Sequence, residues 1–161
     1  MRRLGWALFL VLDWMGGTAV AAPIPQDLVH PQRLTSGESN QYVGTRSDRE
    51  DALYFVSDIH VSSEVFVQAP VTSAPRRVLD LNADISNPTI DPAGRRLAYI
   101  SYRSDSAGDV CIVDLETLEN QCETGLEGSE LHVQWDPDGK SLWILRKTGM
   151  HGAMRLVKRI P

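Results

Sequence analysis

Three stretches of the chain repeat one another at a spacing of 44 to 45 residues. The middle copy reads Asp91-Pro92-Ala93-Gly94, then Leu97-Ala98-Tyr99-Ile100-Ser101, then Gly108-Asp109-Val110-Cys111-Ile112-Val113-Asp114. The last reads Asp136-Pro137-Asp138-Gly139, then Leu142-Trp143-Ile144-Leu145, then Gly152-Ala153-Met154-Arg155-Leu156-Val157. The first is worn, with Leu53-Tyr54-Phe55-Val56-Ser57 followed by Glu64-Val65-Phe66-Val67. Leu53 lies 44 residues before Leu97, and Leu97 lies 45 before Leu142. A fixed period of this size, built from short apolar runs and turns, marks one blade of a β-propeller. The repeat speaks to architecture and spells out no reaction.

Each copy reads as four strands. An inner strand precedes the turn, as at Gln134-Trp135. The second carries the Leu-led apolar run, the third is Val110–Leu115 or its equivalent, and the fourth is an outer strand such as Arg76–Leu79 or Gln121–Thr124. These are β-branched and aromatic runs bounded by Gly, Pro, Asp and Ser. No segment carries sustained helical periodicity. Tyr99-Ile100 and Trp143-Ile144-Leu145 are apolar at successive positions, as strands sandwiched between neighbouring blades should be. Asp91-Pro92-Ala93-Gly94 and Asp136-Pro137-Asp138-Gly139 read as tight turns between first and second strands. Pro presets φ at the second turn position, the Asp side chain accepts backbone N–H bonds, and Gly accepts left-handed geometry. Asp136, Asp138 and Gly139 also resemble a fragment of a calcium loop, but the ligand set is too short. The expected fold is all-β, with about three four-stranded antiparallel blades at roughly 40–80, 84–125 and 130–161, open or completed by oligomerisation.

The first 21 residues read as a secretory signal peptide. Arg2 and Arg3 give a basic start, Trp6–Leu12 is apolar, and Ala19-Val20-Ala21 offers small residues for cleavage. Asp13 is a blemish in the apolar stretch. An uncleaved anchor is the alternative, but the apolar run is short of the ~20 residues a bilayer needs. Residues 22–31 form an extended leader with Pro23, Pro25 and Pro31, and 32–161 form the repeats. Gln32–Thr35 has the register of a blade's last strand, since Leu34 lies 19 residues before Leu53 as Val78 lies 19 before Leu97. Export implies a periplasmic or extracellular location with no membrane span after cleavage. An oxidising compartment permits a disulfide between Cys111 and Cys122. Their midpoint falls between Glu116 and Thr117, so they face each other across an antiparallel hairpin. The alternative is two small apolar residues that never bond.

The run Ile90-Asp91-Pro92-Ala93-Gly94-Arg95-Arg96-Leu97-Ala98-Tyr99-Ile100-Ser101, followed by Asp109–Leu115, resembles the WD-like repeats of TolB-type β-propellers. So does Trp135-Asp136-Pro137-Asp138-Gly139-Lys140-Ser141-Leu142-Trp143. Arg33-Leu34-Thr35-Ser36-Gly37 is similar to the link that precedes such a repeat. The resemblance covers most of residues 32–160. It implies a propeller, and it implies either an exported binding protein or a propeller set before a serine peptidase domain. The first copy departs from the pattern, with Ser47-Asp48-Arg49-Glu50 where the Pro/Gly turn belongs, so an irregular blade edge is expected there. The family's periplasmic translocation protein has an N-terminal domain and six blades. This chain shows neither, so that role is not carried over.

No Gly-x-Ser-x-Gly elbow or phosphate loop is present. Ser36-Gly37-Glu38-Ser39 is a loop. His30, His60, His132 and His151 show no metal-ligand spacing, and the two cysteines form no zinc motif. No catalytic residue, cofactor or metal is expected. The net charge of −5, or −6 without residues 1–21, argues against nucleic acid as a partner. Nine acidic and no basic residues lie between Asp109 and Gly139, and six basic and no acidic residues between Lys140 and Pro161. These are either solvated strand faces or an interface between two chains. An outer strand at the start and a third strand, Met154–Ile160, at the end suit two chains that complete a ring. The competing explanation is a fragment of a larger propeller. The expected function is an exported, non-catalytic module for protein interaction, working through the loops at one end of the blades or the channel mouth. A hydrolase propeller without its catalytic domain and a small-ligand or glycan-binding propeller are the alternatives.

Overall fold

The computed structural model describes Thr35 and residues 39–104, 106–124, 127–149 and 152–160, all within one compact unit, Arg33–Pro161. The segments expected to be a signal peptide, 1–21, and a leader, 22–31, together with Gln32–Leu34, His30 and His151, lie outside the described residues. So does the Ser36–Glu38 part of the following loop.

Eleven strands build three antiparallel sheets. The first contains β1 (Gln41–Ser47), β2 (Ala52–Ser57), β3 (Glu64–Gln68) and β4 (Arg76–Arg77), in that spatial order. The second contains β5 (Ile85–Ile90), β6 (Arg96–Ser101), β7 (Asp109–Asp114) and β8 (Asn120–Glu123). The third contains β9 (Ser129–Trp135), β10 (Leu142–Thr148) and β11 (Ala153–Arg159). These are propeller blades, not closed into a ring among the described residues. β4 is two residues long, shorter than the Arg76–Leu79 run suggests. The edge expected to be irregular at Ser47–Glu50 pairs regularly up to Ser47 opposite Ala52, and the irregularities lie elsewhere in the strands. The pairing of the first two strands shifts register between Tyr42 and Gly44, between Ser86 and Thr89, and opposite Leu145 and Arg146. Such shifts add local twist to the inner strands.

Apolar alternation makes the two seams. From the second blade, Leu97 and Tyr99 turn toward Tyr54, Val65 and Val67 of the first. Ala98, Ile100 and Val110 turn toward Val133, Trp135, Leu142 and Ile144 of the third. Both faces of β6 are thus sealed, and each large side chain so buried contributes roughly 1.5–3 kcal/mol. β10 differs from the expectation. Ile144 is buried, but Trp143 is 36% exposed and Leu145 half-buried, because those two face away from the seam.

Cys111 and Cys122 are directly opposed in the β7–β8 register and are joined by a disulfide. Cys111 is fully buried, so the bond ties an exposed outer strand to the core. The charge runs meet inside the chain. Arg146 pairs with buried Glu130 at 2.7 Å, Lys158 with Asp136 at 2.7 Å, and Arg159 with Glu123. Half of the six basic residues after Lys140, that residue included, are therefore spent on intramolecular partners.

Candidate functional site at the turn end of the blades

The turns between first and second strands collect at one end of the sheets. Gly94 N–H donates to Asp91 O at 2.9 Å, and Gly139 N–H donates to Asp136 O at 2.9 Å. Both glycines have positive φ, 67° and 65°, a geometry that carries little strain only without a side chain. In the first blade the turn runs through Asp48–Asp51, and Asp51 takes the left-handed conformation at φ 47°.

These turns are stitched to one another. A Cβ at Gly94 would stand 2.6 Å from Ser47 Oγ and 3.1 Å from Arg49 Cβ, so its absence lets the first blade's turn approach. The buried Asp91 carboxylate accepts from the N–H groups of Arg95 at 2.7 Å and Arg96 at 3.1 Å. It also accepts from Arg96 Nε at 3.1 Å. The Arg96 guanidinium lies 4.4 Å from the centroid of the Trp135 ring and donates to the Gly139 carbonyl. One salt-bridged arginine thereby binds the second blade's turn to the third.

Asp136, at the same place in the next repeat, is used differently. Its Oδ2 accepts from Trp143 Nε1 at 3.0 Å and from Lys158 Nζ at 2.7 Å. The Lys158 hydrogen bond holds the Asp136 carboxyl below the usual carboxylate range, and Asp136 in turn raises Lys158. The Asp138 carboxyl is also lowered, chiefly by the Lys140 N–H, and it accepts from the Ser141 hydroxyl at 2.9 Å. The oxygens of a calcium-loop fragment are thus occupied by N–H and O–H donors. Among the described residues no group of three or more His, Cys, Asp or Glu is placed to hold a metal ion. His132 Nδ1 sits 3.2 Å from Asn87 Oδ1, and His60 lies against Phe66 with ring centroids 6.0 Å apart.

Between the inner strands and their turns lies a cavity of about 450 Å³, lined among others by Thr45, Arg46, Asp48, Gln134 and Pro137. Arg46 is held by Asp51 at 3.0 Å and Asp48 at 3.6 Å. The mouth offers an exposed guanidinium, carboxylates and an amide. That chemistry suits the recognition of polar groups. The turn residues were legible in the sequence. Arg96, which joins the turns through Trp135, carries no such signal: the basic residue repeated after Asp-Pro-x-Gly is Arg95 or Lys140, and Arg96 is replaced by Ser141 in the next copy.

The architecture is that of a β-propeller, here as three stacked antiparallel blades. Its particular kind is TolB-like. The chain is 32% identical over 65 residues to the Tol-Pal system protein TolB of Alcanivorax borkumensis, a match that covers 40% of this chain and 15% of that protein. It is similar in structure to a putative TolB from Agrobacterium tumefaciens, with a TM-score of 0.65 and 16% identity over 78% of this chain and 45% of that one. It is also similar to a puromycin-hydrolyzing peptidase of Mycobacterium tuberculosis, with a TM-score of 0.63 and 15% identity over 81% of this chain and 20% of that one. No known family's sequence profile matches the chain. The chain thus spans 15% of the length of the curated relative and less than half of either solved chain. At these structural identities the likeness is one of fold.

Proposed function

We propose that this chain is an exported, non-catalytic propeller module that binds a protein of the cell envelope through the turn end of its blades. The supporting observation is the stitched row of turns around the mouth cavity, where Arg46, Asp48 and Gln134 are exposed on a rim anchored by Asp91 and Arg96. The name of the curated relative places it in a system of several components, which favours a protein partner for this chain too. Export rests on residues 1–21, and N-terminal sequencing of the secreted protein is expected to begin at Ala22. A cross-linked pull-down from envelope extract tests the binding role. The wild type should capture a stoichiometric protein that an Arg46→Glu/Gln134→Arg variant loses. Capture of the same proteins by both would overturn the proposal.

A second reading, the propeller part of a peptidase, is favoured by the peptidase likeness. An immunoblot of the native host that shows this sequence within a much larger hydrolase chain would support it. Completion of the ring by a second copy belongs to the first reading, and light scattering at micromolar concentration would exclude it by showing a monomer.

A further inference from the structure

A second cavity, of about 330 Å³, opens between the first and second blades. It lies among the β1–β2 turn, β4, the β5–β6 turn and the β7–β8 turn. Its floor includes Tyr54 and Val67, both buried. Its lining includes three exposed arginines, Arg49, Arg76 and Arg95.

Pairing is common among the other arginines. Arg46, Arg77, Arg96, Arg146 and Arg159 each hold a carboxylate within 4.0 Å. The side chains of Arg49, Arg76 and Arg95 make no hydrogen bond or ion pair with any described residue. The fold brings them together nonetheless. Gly94 admits the Arg49 turn to van der Waals distance, which sets Arg49 beside the turn that continues into Arg95. Arg76 arrives from β4, opposite Val67 in register. Three like charges around one small cavity repel, and an anion between them relieves that cost.

The rest of the lining limits the anion. Glu50 and Glu116 also face the cavity, so its lining carries a formal +1 rather than +3, and Asp114, behind the lining, is near enough to Arg95 to be stabilised by it. A singly charged carboxylate balances the lining, whereas a phosphate dianion overshoots. Leu115 and Leu118 add apolar walls. A guanidinium fork grips a carboxylate through paired N–H donors, and the walls bury an apolar substituent. We infer that this cavity binds a small organic monocarboxylate that carries an apolar group, such as the free C-terminus of a peptide ending in an apolar residue. The site adjoins the mouth cavity, which Arg49 also lines, but Arg76, Arg95, Leu115 and Leu118 belong to it and not to the mouth.

Amide chemical shifts of the full chain, titrated at constant ionic strength with N-acetyl-leucine, N-acetyl-leucinamide and inorganic phosphate, test this. The acid should give saturable shifts around Arg95 and Leu118 with a midpoint in the low millimolar range. The carboxamide and phosphate should each bind at least about tenfold more weakly. Arg76→Gln and Arg95→Gln, both at exposed positions, should each weaken the acid about tenfold, while Arg103→Gln leaves it unchanged. The inference is overturned by any of four results: no saturation, equal binding of the carboxamide, tighter binding of phosphate, or equal loss in Arg103→Gln. Arg76→Gln and Arg95→Gln, which lie outside the mouth lining, should keep partner capture while they weaken the acid, so failure of the one reading is distinguishable from failure of the other.

Discussion

β6 and β10 are the same strand of the same repeat, yet one is sealed on both faces and the other on one. Ala98, fully buried, stands where the next copy has Trp143, 36% exposed. A small side chain at Ala98 lets the third blade close onto the second. Trp143 meets no such neighbour, and its indole N–H bonds Asp136 while Lys158 lies 5.3 Å from its ring centroid. The turn aspartates diverge in step. Asp91 is buried and holds Arg96 in the seam, whereas Asp136 holds a tryptophan and a lysine at the surface. A repeat unit therefore takes its role from what covers it.

The largest test is a matched truncation. Ile100→Ala empties part of a seam and should cost about 3 kcal/mol in urea unfolding, while Leu145→Ala at the equivalent position should cost less than ~1 kcal/mol. Equal costs would mean that the outer face of β10 is covered in solution, and the contrast between the strands would fail. Replacing both Cys111 and Cys122 by Ala opens a loop with a sequence separation of 11. Loop entropy puts the loss near 3 kcal/mol, lessened by whatever the alanines recover. Hydrogen exchange should show it at β8 amides and leave β10 amides unchanged. Asp91→Ala frees two backbone N–H groups and a half-buried guanidinium and should cost about 2 kcal/mol. Asp136→Ala should lower Tm less, and it should change Trp143 fluorescence, which Asp91→Ala should not.

The smallest effect concerns acid. The folded Asp136 carboxyl titrates below its unfolded value, chiefly because Lys158 donates to it. Its contribution is complete above the ordinary carboxylate range and is lost as pH falls through the lowered folded value. Lys158→Gln should move the Asp136 midpoint, followed by carboxyl NMR, back up toward the ordinary range. An unmoved midpoint would place the cause in the turn rather than in the ion pair.

Strand order, turn positions and the pairing of Cys111 with Cys122 were legible because each depends on neighbours in sequence. A hairpin centred between Glu116 and Thr117 opposes those two cysteines by counting alone, and Asp-Pro-x-Gly closes its turn from its own torsional preferences. The exposure of Trp143 was not legible, since an apolar run reads alike whether one face or two are covered. Nor was the meeting of Arg146 with Glu130 or Arg159 with Glu123, which crosses strands and blades. The charge runs read either as solvated strand faces or as an interface between chains, and folding pairs part of them within one chain.

The site divides in the same way. The turn aspartates and glycines stood out by their period. Arg96 became a bridge only once Trp135 and the Gly139 carbonyl came within its reach from the next blade. Arg49, Arg76 and Arg95 are scattered in the chain, and only the close approach allowed at Gly94 helps gather them around one cavity. Period and turn chemistry alone determined the blades, because backbone torsions and hydrogen-bond ladders are local. Which faces are sealed and which charges are paired were decided by blade against blade, through contacts between residues some 45 positions apart.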